Sequence, residues 1–135
     1  MILFSRKTAV AIIRRKSQPD KFLVVKNLLG YLDLPGGGVK RNETSEVAVK
    51  RELKEELNIQ ENDILSNIHL GNGDIDVGYG VMARNHASFF LIEIRDETVL
   101  KGNWEIVAQL WLSREEAATK LSHPATREML ALTTE

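Results

Sequence analysis

The sequence contains no cysteine among its 135 residues. That excludes a disulfide framework, a thiol nucleophile and a cysteine zinc site. Histidine is scarce too: three are scattered along the chain, too few and too dispersed to suggest a zinc centre. Net charge is almost absent. Eighteen basic and nineteen acidic residues leave a formal −1, which gives no electrostatic footprint for non-specific nucleic-acid binding. Long apolar runs are missing as well. The stretch Thr8–Ile13 is too short to span a membrane, and it follows Arg6 and Lys7 without the layout of a signal peptide. The expectation is a cytoplasmic protein that binds neither membrane nor nucleic acid. No repeat, low-complexity tract or linker interrupts the chain. Its length suits a single domain, residues 1–135, and its 43% hydrophobic content suffices for a core.

What the sequence does contain is concentrated between Pro35 and Ile59, PGGGVKRNETSEVAVKRELKEELNI. A triple-glycine turn, Gly36–Gly38, leads into an amphipathic helix expected over about Thr44–Leu57, with Thr44 or Asn42 as its N-cap. Glu52, Glu55 and Glu56 stand at i, i+3 and i+4, which gathers them in one sector of that helix. Val49, Leu53 and Leu57 fill the neighbouring sector, at roughly 100° per residue. Ala48 adds no bulk over the acids, and Lys50 and Lys54 point to water. The apolar stripe docks the helix, and the acids are left facing a cleft. Acids with interleaved lysines are, by themselves, more often a solvated surface, with Glu46–Lys50 and Arg51–Glu55 as ordinary i,i+4 pairs. Three crowded carboxylates nevertheless suit a hard divalent cation such as Mg²⁺ or Mn²⁺, which prefers oxygen ligands. Glu43 offers a fourth carboxylate, and a carbonyl of the glycine turn can approach the same ion. Metals held this way serve phosphate chemistry.

The rest of the chain reads as strands, helix, strands, helices. Residues 7–15 and Phe22–Lys26 are strand-like. They would be antiparallel partners if the turn Ser17–Asp20 closes a hairpin. Tyr31–Leu34 is a short extended piece, ended by Pro35. Residues 64–70 suit a strand, and 71–80 a glycine-rich loop or loose hairpin. Ala87–Ile94 suits a central strand and Ile106–Leu112 another. Ser113–Glu116 is a capping box that opens a helix to about Leu121, and Pro124 opens the last helix. This order implies an α/β fold with a mixed sheet and helices packed on it.

Residue by residue, the central stretch resembles the Nudix box, the signature of the Nudix hydrolases, over residues 37–59. The match lies at Gly37, Glu43, Arg51, Glu52, Leu53, Glu55, Glu56 and Ile59. The departure is Asn58, where the family usually carries glycine. Asparagine is the next-best residue for a left-handed backbone. Outside the box, the LPGG at Leu34–Gly37, the spacing from Glu105 to Trp111 and the tail His123–Arg127 are similar to small MutT-like members. The resemblance implies an α/β/α sandwich with the box helix packed on a mixed β-sheet. It also implies pyrophosphohydrolase activity on a nucleoside diphosphate linked to a moiety X, by attack of a metal-activated water.

The expected substrate is a nucleoside triphosphate, including oxidised forms. ADP-ribose, NDP-sugars and dinucleoside polyphosphates are the alternatives, and a non-catalytic nucleotide-sensing module is the reading from a different class. The resemblance makes Gly37 (through its carbonyl), Glu52, Glu55 and Glu56 the metal ligands. Arg51 orients and balances the acids, and Glu43 ligates through water or holds Arg51. The base is Glu52 or Glu105. Arg84 and His86 are candidate substrate contacts. Tyr31, Phe89, Phe90, Trp104 and Trp111 are read as core residues before platforms for a base. The partner expected is a small nucleotide, with the protein a monomer or homodimer.

Overall fold

A computed structural model describes residues 4–76, 83–121 and 123–133, without the side chains of Phe4, Ser5, Asp76, Ala83 and Arg84. The elements in order are β1 (Phe4–Arg15), β2 (Lys21–Asn27), β3 (Leu32–Asp33), β4 (Gly36–Gly38), α1 (Ser45–Leu57), β5 (Ile64–Asp76), β6 (Ala83–Ile94), β7 (Ile106–Ser113), α2 (Arg114–Lys120) and α3 (Pro124–Ala131). The strands form one sheet in the order β4-β1-β6-β5 and a second in the order β3-β2-β7. In the larger sheet β1 and β6 run parallel, while β4 and β5 are antiparallel to their neighbours. No described helix is long and apolar enough to cross a membrane.

Alternate side chains along a strand point to opposite faces. In β1, Val10 and Ile12 enter one buried cluster with Phe89, Leu91, Leu112, Leu121, Met129 and Leu130, against α2 and α3. Ala9, Ala11 and Ile13 enter the other, with Leu23, Val49, Leu53, Leu57, Phe90 and Ile92, against α1. Burial on both faces explains why β1, β2 and β6 read as near-continuous apolar runs rather than alternating ones. The result is the expected layered arrangement, helix on sheet on helices.

One expectation is corrected and one open alternative is resolved. β1 and β2 are not paired as a hairpin. β4 and β6 occupy both edges of β1, so β2 pairs instead with β3 and β7, and only an isolated bridge, Arg15 to Gln18, spans the turn. Of the two readings of the glycine-rich segment, loop or loose hairpin, residues 71–76 follow the second, as one arm of an antiparallel pair with β6. β5 continues through it to Asp76, with an irregularity in register between His69 and Gly71; residues 77–80 lie outside the described residues. The glycines there answer to packing. A Cβ on Gly73 would lie 2.6 Å from the Ala125 Cβ, and Met129 lies over Gly71, so α3 rests directly on the strand.

The connection from β6 to β7 is pinned at its start. Arg15 donates through Nη1 to the carbonyls of Arg95, Asp96 and Thr98, and its guanidinium lies 5.1 Å from the centre of the Trp111 ring. Asp63, only 7% exposed, accepts from Gln60 N at 2.8 Å, Arg95 Nη2 at 3.0 Å and Thr98 Oγ1 at 3.1 Å. These bonds, Gln60 first, hold its carboxyl below the usual aspartate range.

Candidate active site

α1 begins at Thr44, whose hydroxyl accepts from Val47 N at 3.2 Å. It ends at Asn58, whose φ of 59° is left-handed. There Asn58 N donates to Lys54 O at 3.1 Å and Ile59 N to Leu53 O at 3.2 Å, a Schellman-type closure. Ala48, Val49, Leu53 and Leu57 are fully buried on the sheet. Burying the three larger chains contributes about 1.5–3 kcal/mol each, which fixes the rotation of the helix and hence where its acids face.

Those acids meet β4. A Cβ on Gly37 would lie 2.5 Å from Glu52 Cδ, so only glycine lets the Glu52 carboxyl rest on that strand. Glu56 accepts from Gly36 N at 3.3 Å. Arg51 sits among the other carboxylates. Its Nε and Nη2 bond Glu43 at 2.7 and 2.9 Å, and Nη2 also reaches Gly38 O at 2.9 Å. Nη1 bonds Glu52 at 2.9 Å and Glu55 at 3.3 Å. The sequence left Glu43 two roles, and the structure shows the second, a two-pronged grip on Arg51. Arg51's hydrogen bonds, with a backbone bond from Lys40, hold the Glu43 carboxyl down to about 2. The same pairing pushes the Arg51 guanidinium up.

Glu56 is different. Among the described residues no basic side chain bonds it. Burial, followed by the charge of Glu52 and a hydrogen bond shared with it, pushes its carboxyl up to about 8, with Glu105 adding to the rise. Arg51 spreads Glu43, Glu52 and Glu55 around itself, so among the described residues no three acids close on one point as a ready-made cage.

Glu105 arrives by a route the sequence did not disclose. The segment after Thr98 folds over the end of α1, where helix carbonyls lack partners. Lys101 N donates to Leu57 O at 3.0 Å, Asn103 N to Glu56 O at 2.9 Å and Asn103 Nδ2 to Glu55 O at 3.3 Å. Asn103 then folds the chain into a turn, accepting from Glu105 N on Oδ1 and from Ile106 N on its carbonyl. One asparagine thus ties the Glu105 segment to the helix that carries Glu55 and Glu56. A glycine–asparagine pair, Gly102–Asn103, was the available signal.

His86 is one strand removed from the glycines of β4, across β1. It lies on β6, with Nδ1 2.8 Å from Asp74 Oδ1. The Arg84 side chain lies outside the described residues. Of the five aromatics, Phe89 and Phe90 are core and Trp111 is half-buried, as read. Tyr31 and Trp104 are corrections, 68% and 77% exposed, because both sit in turns beyond the reach of either core layer.

The family model of the NUDIX domain matches residues 1–133. No curated protein matches the sequence. Among solved structures, an E. coli dihydroneopterin triphosphate pyrophosphohydrolase is 20% identical with a TM-score of 0.80, and 97% of each chain is covered. A C. elegans Ap4A hydrolase in a binary complex is 19% identical, with a TM-score of 0.79 and 93% of each chain covered. The MutT protein from Methanosarcina mazei Go1 is 20% identical, with a TM-score of 0.74, covering 98% of this chain and 95% of that one.

Proposed function

The chain belongs to the Nudix family and is a hydrolase acting on pyrophosphate bonds; from that premise we propose that it cleaves nucleoside triphosphates, oxidised ones included, with Mg²⁺ or Mn²⁺. Members of the family act on small nucleotides and generally need a divalent metal. The observation that carries the proposal is the pairing of Glu52 and Glu56 beside β4. Two carboxyls are crowded there, and one, half-buried, has no basic partner among the described residues. Oxygen donors of this kind fit a hard cation and fit nothing softer as well. Glu52, Glu55, Glu56 and the Gly37 carbonyl are the groups that would hold it. When bound, a divalent cation neutralises charge on a pyrophosphate and lowers the pKa of a coordinated water.

The chain's own residues supply the rest. Arg51, held by Glu43 and Gly38, orients Glu52 and Glu55. The Gly36 N–H orients Glu56. Glu52 and Glu105 are the two groups that can take the proton from the attacking water. The preference for a triphosphate draws on the likeness to the dihydroneopterin triphosphate pyrophosphohydrolase. The test is a panel of nucleoside triphosphates, oxidised nucleotides, ADP-ribose, NDP-sugars and dinucleoside polyphosphates, assayed with Mg²⁺, with Mn²⁺ and with chelator. Metal-dependent release of a nucleoside monophosphate and pyrophosphate from a triphosphate is the expected result. Turnover that persists in chelator, or none with any nucleotide, overturns the proposal. pH–rate profiles of Glu52→Gln and Glu105→Gln identify the base, since loss of the base removes one limb of the profile.

A further inference from the structure

Trp104 is one of two tryptophans in the chain, and its indole is 77% exposed. The other, Trp111, is half-buried under the Arg15 guanidinium and packed on the core. An isolated exposed aliphatic side chain needs no explanation, but an exposed indole on an anchored turn is a different matter. Trp104 is held. It stands in the turn that Asn103 closes through Glu105 N and Ile106 N, and Asn103 is itself bonded to the carbonyls of Glu55 and Glu56. Successive Cα atoms are about 3.8 Å apart, so the indole starts one residue from the last turn of the acidic helix. Its other neighbour is Glu105, whose charge reaches Glu56. The backbone of Trp104 is therefore anchored to the helix that carries the acids, one residue from Glu105, and its indole is open to solvent.

Its surroundings select what it can take. Glu105 follows Trp104 in the chain, and the half-exposed Glu55 offers its backbone carbonyl to Asn103 on the other side; both carboxylates repel phosphate. A neutral, flat, apolar group is favoured on the indole face, and the acids around it suit the exocyclic N–H donors of a nucleobase. Resting on the reading of this site as a nucleotide pyrophosphohydrolase, we infer that Trp104 is the stacking platform for the substrate's nucleobase, with the phosphates directed inward to Glu52 and Glu56. The position predicts tolerance as well. Stacking uses the π-face that every base possesses, so Trp104 contributes affinity for bases in general over none.

The test separates base from phosphate. KM is measured for ATP and GTP, and Ki for inorganic tripolyphosphate as a competitive inhibitor, in wild type, Trp104→Ala, Trp104→Phe and Tyr31→Ala. Trp104→Ala is expected to raise both nucleotide KM values about tenfold and to change the tripolyphosphate Ki much less. Trp104→Phe is expected to restore most of the affinity. A parallel rise in Ki means that the substitution merely disturbs the turn and Glu105, and it overturns the inference. So does an unchanged nucleotide KM, or a base effect that follows Tyr31→Ala instead. If the wild type turns over no nucleotide, the pyrophosphohydrolase reading fails by itself. Quenching of tryptophan fluorescence by ATP and GTP, present in wild type and lost in Trp104→Phe, then decides the stacking independently; absence of that quenching overturns it.

Discussion

Replacing Glu56 with Gln keeps the shape of the side chain and removes a charge that burial already disfavours. The expected outcome is a fall in kcat of about 100-fold or more with an unchanged circular dichroism spectrum. A readout besides activity is available. Mg²⁺ should raise the melting temperature of the wild type by mass action, and that rise should vanish in Glu56→Gln. Asp63 supports a prediction of opposite character, outside the acidic cluster of α1. Its folded pKa is depressed by the Gln60, Arg95 and Thr98 bonds, so it binds fewer protons folded than unfolded near its unfolded value of about 3.9. Its contribution is complete above that value and is lost as pH falls through the lower folded one. Asp63→Asn should therefore lower stability by about 1.5–3 kcal/mol at neutral pH. The gap should narrow in chemical denaturation as the pH falls below the unfolded value.

At this scale the sequence was informative where chemistry repeats with helical spacing, at Glu52, Glu55 and Glu56, and silent where partners are distant. Nothing local to Asp63 announces Arg95 or Thr98. Nothing local to Trp104 says that no core layer reaches it.

Among the elements, α1 was legible almost to the residue, because cap, stripe and terminus each carry their own signal. Its end makes a prediction. Asn58 holds φ at 59°, a conformation that costs a non-glycine residue about 1–2 kcal/mol in general and asparagine less. Asn58→Gly should leave stability equal or raise it by up to about 1 kcal/mol. Asn58→Ala should lower it by about 1 kcal/mol. Both changes are read from urea midpoints at constant m-value. An Asn58→Ala protein as stable as wild type would show that the Schellman bonds, rather than the left-handed residue, close the helix. β5 was the element least legible. Gly71 and Gly73 break the alternation that marks a strand, and they do so because α3 lies on top of them, a fact held some fifty positions further along the chain. The capping segment around Asn103 was hidden for a similar reason, since its partners are the carbonyls of another element.

For the molecule as a whole, the layered class was readable from the order of strands and helices, whereas strand order was not. A turn as short as Ser17–Asp20 argues for a hairpin, and only the competition of β4 and β6 for the edges of β1 decides against it. Because the central strands are buried on both faces, a cavity on either side is costly. Phe89, fully buried against α2 and α3, is on the face away from α1. Phe89→Ala should cost about 3–5 kcal/mol in equilibrium denaturation. Preserved catalysis by the fraction still folded would show that the two layers fail together in stability but are separate in chemistry.

The parallel pairing of β1 with β6 sets a timetable. Phe4 faces Ala83 and Arg15 faces Ile94, so strands about eighty positions apart must find each other before the larger sheet exists. β4, with the glycines on which Glu52 and Glu56 rest, hangs on the far edge of β1. The helix can form early from its own local signals, yet β4, against which its acids gather, is an edge strand held by β1, and the sheet that steadies both waits for that long closure. During synthesis the site is therefore among the last parts of the molecule to assemble, and a chain released before Ile94 would carry every residue of the Nudix box without the sheet that brings them to bear.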